Sequence, residues 1–151
     1  MGETKMVEES ENMGLKEKIL AEMTSNYTNA LDKNFELAKK FIRITSEGFV
    51  EVLVKDKITG KEQILLYLIG KIYAKEARLS VTEEVENSEL MRELGIPLGS
   101  LLPWLKSLKE ENKIKPVRKG KLVNHVASIN LIEKILTDIE KKLIKKEAKN
   151  E

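Results

Sequence analysis

Cysteine is absent from this chain, and histidine occurs once, at position 125. Without thiols there is no disulfide framework, no thiolate zinc site, no iron–sulfur ligation and no cysteine nucleophile. A single histidine excludes a histidine-based metal cluster and leaves little for Ser-His-Asp chemistry. Aromatic residues are sparse at 5%, and Gln63 is the only glutamine. No apolar run reaches the roughly eighteen residues that a membrane span needs. The opening stretch MGETKMVEESENMG is too acidic and polar for a signal peptide, so the expected location is the cytoplasm. These exclusions leave a chain expected to bind rather than catalyse, with no cofactor and no metal.

What is present is charge and aliphatic side chains. The 151 residues are 41% apolar and 34% charged, enough for one ordinary domain or a small domain with an appendage. The net charge of +2 is close to balance and, as an average, points to no partner. Lysine outnumbers arginine by 23 to 4. Enrichment in Lys, Glu and Ile fits a thermophile proteome, and fits equally the codon bias of an AT-rich genome.

Residues 1–13 show no periodicity and carry four Glu against one Lys, which reads as a solvated, disordered acidic tail. Helical spacing follows at Leu15, Ile19, Met23 and Tyr27, and again at Leu31, Phe35, Ala38 and Phe41. Between the sets, Thr24-Ser25-Asn26 is poor helix material because these side chains compete for the backbone; the second piece continues the first or restarts at Thr28. The period then becomes two. Ile42 and Ile44, then Val50, Val52 and Val54, flank Ser46-Glu47-Gly48 and predict a β-hairpin that needs a helix as cover. Residues 14–57 thus form a helix-plus-hairpin unit, and the polar connector Lys55 to Gly60 is the candidate boundary. Thr59 with Glu62 makes a capping box, and Leu65, Leu66, Leu68, Ile69, Ile72 and Tyr73 predict a central core helix. Gly70 within it marks the close approach of another backbone. Residues 76–97 are acidic, with six Glu against two Arg.

From Asn87 to Lys106 the sequence reads NSELMRELGIPLGSLLPWLK. Asn87 is the expected N-cap of a short helix with Leu90 and Leu94 on one face, and Gly95 its left-handed terminator. Pro97 and Gly99 make a tight connection. Leu101, Trp104, Leu105 and Leu108 give the second helix its apolar face, and Pro103 is tolerable if that helix starts near Ser100, with or without a looser turn from Pro97. A basic strand (Lys113 to Arg118), a tip (Lys119-Gly120-Lys121) and a returning strand (Leu122 to Ile129) follow. This order resembles the winged helix-turn-helix of prokaryotic and archaeal transcription regulators over about residues 60–130, with Met91 where that pattern usually has a small residue.

The resemblance implies that the second helix enters a DNA major groove with its N-terminal part. Residues 98–126 carry seven Lys/Arg against two Glu, a basic segment over an otherwise acidic chain. The expected contacts to duplex DNA are Ser100, Leu102, Lys106, Ser107, Lys109, Lys113, Lys115, Arg118, Lys119 and Lys121. No Arg, Asn or Gln stands among the outward residues of the helix, so specificity should be modest and rely on shape and on the wing. Trp104 falls on the apolar face and is expected in the core rather than stacked on a base. His125 is expected at a surface or half-buried strand position, and Glu83, Glu84 and Glu86 in a solvated acidic loop.

Asn130 with Glu133 forms another capping box, and Ile132, Leu136, Ile139 and Leu143 then make a short a/d seam. That seam suits a homodimer, or packing onto the rest of the chain. The expected architecture is α+β: a winged helix-turn-helix domain (58–130) with an N-terminal helix plus β-hairpin extension (14–57) and a C-terminal amphipathic helix (131–151). The expected function is that of a DNA-binding transcription regulator or chromatin-type protein, not an enzyme. The alternative is a winged-helix protein-interaction module in a nucleic-acid-processing assembly, with its partner at the exposed leucines Leu98 and Leu102.

Overall fold

In the computed structural model of the chain, residues 14–23 and 27–150 are described. The acidic tail over 1–13 and the break at Thr24-Ser25-Asn26 lie outside them. The architecture is α+β, with helices predominating and two separate two-stranded antiparallel hairpins. The N-terminal elements are α1 (Leu15–Glu22), α2 (Tyr27–Lys33) and α3 (Phe35–Ala38). Helix α2 is interrupted at Asn34, whose buried side chain donates to the Ala30 carbonyl at 2.8 Å. The first hairpin pairs β1 (Ile42–Ile44) with β2 (Val50–Val52), with Ile42 opposite Val52 and Ile44 opposite Val50. Val54 falls beyond β2, at the start of a 3-10 turn over Lys55–Lys57.

The central element is α4 (Gly60–Glu76). Its N-terminus carries the full Thr59–Glu62 capping box, and Lys142 reaches Glu62 at 3.2 Å. Every residue from Ile64 to Gly70 is buried, because α4 is covered by the first hairpin on one side and by the later helices and the second hairpin on others. A Cβ at Gly70 would stand 2.5 Å from Val50 Cγ1 and 3.1 Å from Ile42 Cγ2. The partner that presses on Gly70 is therefore a pair of hairpin side chains, not a backbone.

Beyond α4 come α5 (Asn87–Leu94), α6 (Leu98–Glu110), β3 (Ile114–Lys119) and β4 (Leu122–Ala127). A 3-10 turn over Ile129–Leu131 leads into α7 (Ile132–Asn150), so the expected cap at Asn130 lies inside that turn. Ile132, Leu136, Ile139 and Leu143 are buried within the single chain, with Ile135 beside them. The seam considered for a homodimer packs into the chain's own core, the other use its spacing allowed. One buried cluster runs from Leu31 through both hairpins to Leu143. The connector at residues 55–60 thus joins elements that share this core, and its own Ile58 is part of it. No helix among the described residues is long and apolar enough to cross a membrane.

Candidate nucleic-acid interface

Helix α5 ends at Gly95, whose φ of 67° is left-handed and open to glycine at no steric cost. Chain direction then turns through Ile96 and extended Pro97 into α6. Asn87 is not the cap of α5. The backbone is extended at Val85 and Glu86, because Val85 pairs with His125 as an isolated bridge beside β4, and Asn87 is already helical. Its side chain is used elsewhere: His125 Nε2 donates to Asn87 Oδ1 at 2.6 Å. His125 is only 2% exposed, not a surface residue, and its Nδ1 is buried without a partner among the described residues. Burial, with a smaller contribution from nearby Lys109, pushes its pKa down to about 4.

Helix α6 starts at Leu98, with Pro97 as its N-cap, so Ser100 is its third residue rather than its cap. Pro103 is the sixth residue and lies past the first turn, leaving the Gly99 carbonyl without its i→i−4 partner. Gly99 is exposed, on the solvent side of the helix. Leu101, Leu105 and Leu108 point into the core, with Trp104 packed beside them over Gly60. The outward face carries Leu98, Gly99, Leu102, Pro103, Lys106 and Glu110.

The second hairpin turns at Gly120-Lys121, with φ of 63° at Gly120 and Lys119 opposite Leu122. Lys119 therefore closes the strand ladder rather than sitting in the tip. Its Nζ lies 2.8 Å from Glu84 Oε2, and this contact, with Asn124 and Lys75 adding, holds the Glu84 carboxyl below its ordinary range. Glu83 similarly lies 3.7 Å from Lys75, so two of the three loop carboxylates are paired with cations, while Glu86 is exposed as expected. Alternation puts Lys115 and Lys119 on one face of the hairpin and Arg118 on the other.

The ten expected contact residues thus divide. Lys106, Lys115, Arg118 and Lys121 are exposed, Lys109 is half-buried near His125, and none of the five has a carboxylate partner among the described residues. Leu102 is 49% exposed and Leu98 46%. Ser100 is half-buried. Three residues are turned inward or neutralised: Ser107 accepts from Lys61 Nζ at 2.8 Å, Lys113 lies 3.5 Å from Glu111, and Lys119 holds Glu84. Glu111 is the hub of this inner cluster, held below the ordinary carboxylate range chiefly by Lys61, 2.8 Å away. The strand at Val85 and the Lys61–Glu111 tie had no period or motif to announce them, since each depends on residues brought together only by folding. Comparison of the chain with protein-family models, with curated proteins and with solved structures gives no match.

Proposed function

We propose that this chain is a winged-helix protein that binds duplex DNA, gripping phosphates with α6 and the β3–β4 hairpin and reading sequence only modestly. The element order supports the reading: a core helix, a bridging strand at Val85, two helices joined at a left-handed glycine, and a hairpin. The observation that carries it is the set of five cations on these two adjoining elements, Lys106, Lys109, Lys115, Arg118 and Lys121, with no carboxylate partner among the described residues. Such cations release counterions when they meet phosphates. The outward face of α6 offers no bidentate donor for base edges, and Glu110 on it repels phosphate, so affinity comes from backbone contacts. A second reading, a winged-helix module that docks on protein, is favoured by the exposed Leu98, Leu102 and Pro103 on the same face.

Anisotropy of a labelled duplex separates the two. We expect low-salt binding by the full chain, weakened at least about tenfold in the Lys115→Glu, Arg118→Glu, Lys121→Glu triple variant. Leu98→Ser with Leu102→Ser should change it little. Binding that ignores the three charge reversals would overturn the DNA reading.

A further inference from the structure

The outward stripe of α6 is apolar over its first two turns. Leu98, Leu102 and Lys106 recur every four residues and so stand one above another, with Gly99 and Pro103 beside them. Leu98 is 46% and Leu102 49% exposed, although Leu101, Leu105 and Leu108 already give the helix its buried face. Gly99 is equally unrequired by the fold. It lies within the helix, it is not one of the glycines with positive φ, and no described neighbour outside its own helical turn stands within 4 Å of the place a Cβ would take. Glycine is a poor helix former, so a residue without a side chain here weakens the helix and relieves no crowding inside the chain. What it does provide is open access to the helix backbone, flanked by two leucines.

Charge around the stripe defines what fits it. Lys106 continues the stripe, and Lys115, Arg118 and Lys121 stand exposed on the adjoining hairpin, none with a carboxylate partner among the described residues. An apolar strip bordered by unpaired cations suits a partner that is anionic at its edges and apolar between them. The major groove of an A·T-rich duplex has that pattern: two phosphate rows, and between them the 5-methyl groups of thymine. A G·C pair presents N7, O6 and N4 there and no methyl, polar groups that a leucine would strip of water without pairing them.

We propose that Leu98 and Leu102 seat thymine methyl groups, with Gly99 letting the helix close on the groove, so that the preferred ligand is A·T-rich duplex DNA. This rests on the DNA reading above and deepens it: the cations set the affinity, and the leucines set the preference. Burying one methyl group strengthens binding roughly fourfold, so two leucines give a graded preference rather than a strict site.

Anisotropy competition between duplexes of equal length tests it, at a salt concentration where the unmodified chain binds. Replacing every thymine of an A·T-rich duplex by deoxyuridine removes the methyl groups and leaves charge and base pairing alone. That exchange should weaken binding by roughly four- to fifteenfold, for one or two methyls lost. Leu98→Ala with Leu102→Ala should erase the difference by weakening the thymine duplex alone, with little effect on a duplex of mixed sequence and none on the slope of log affinity against log salt. Both leucines are exposed, and circular dichroism identical to that of the unmodified chain shows that the variant is folded. Gly99→Phe should melt no lower than the unmodified chain yet bind the thymine duplex at least about threefold more weakly; unchanged binding would overturn the close approach at this turn. Equal affinity for the thymine and deoxyuridine duplexes, with the salt slope intact, overturns the methyl contact and leaves the DNA reading standing. So does a difference that survives both alanines. No binding to any duplex at low salt overturns the DNA reading, and this proposal with it.

Discussion

At the scale of single residues, His125 joins the acidic segment, α5 and the hairpin. It pairs through its backbone with Val85 and through Nε2 with Asn87, and it stays neutral in the fold because it is buried. An unfolded chain takes up a proton there near pH 6.5, whereas the folded protein does so only near pH 4. Stability is therefore unaffected above pH 6.5 and falls as the pH drops from 6.5 towards 4, by about 2 kcal/mol at pH 5. Urea denaturation at pH 7 and pH 5 checks this, with His125→Gln expected to abolish the loss between those values. Glu62, Glu84 and Glu111, whose pKa values are lowered in the fold, lose their contributions only at lower pH, as they protonate. The sequence marks His125 as a strand residue but not as a buried one, since one polar side chain has no periodicity. Its neighbours Asn124 and Ser128 are buried as well, so the polar end of β4 looks exposed in sequence and is enclosed in the fold.

At the scale of elements, the capping box of α4, the first hairpin and the αL end of α5 are legible because each depends on residues close in sequence. The start of α6 is not, because the turn through Ile96 and Pro97 after Gly95 sets where the chain becomes helical. As a result Pro103 sits in the helix interior instead of its first turn. Pro103→Ala should restore the bond to the Gly99 carbonyl and remove the ring's clash with it. A gain of about 1–3 kcal/mol is expected, read as a higher melting temperature. An unchanged or lower melting temperature would mean that the exposed proline ring makes a contact worth as much as the lost hydrogen bond. The a/d seam of α7 shows the complementary limit. Its spacing establishes an amphipathic helix, but the same pattern serves a partner or the chain's own core, and here the core takes it.

At the scale of the whole molecule, a net charge of +2 conceals an uneven distribution. The acidic segment before α5 neutralises part of the basic region, through Glu84 on Lys119, and Glu111 holds Lys61 and Lys113. Folding reduces the seven cations counted in sequence over residues 98–126 to five that are free of carboxylates among the described residues. That number makes the central claim quantitative. If those five meet phosphates, log affinity for a duplex should fall against log salt with a slope of roughly −4 to −5, and the triple variant should retain a slope of about −2. A slope near zero, or no duplex binding even at low salt, would contradict the account and leave the leucine face of α6 as the working surface.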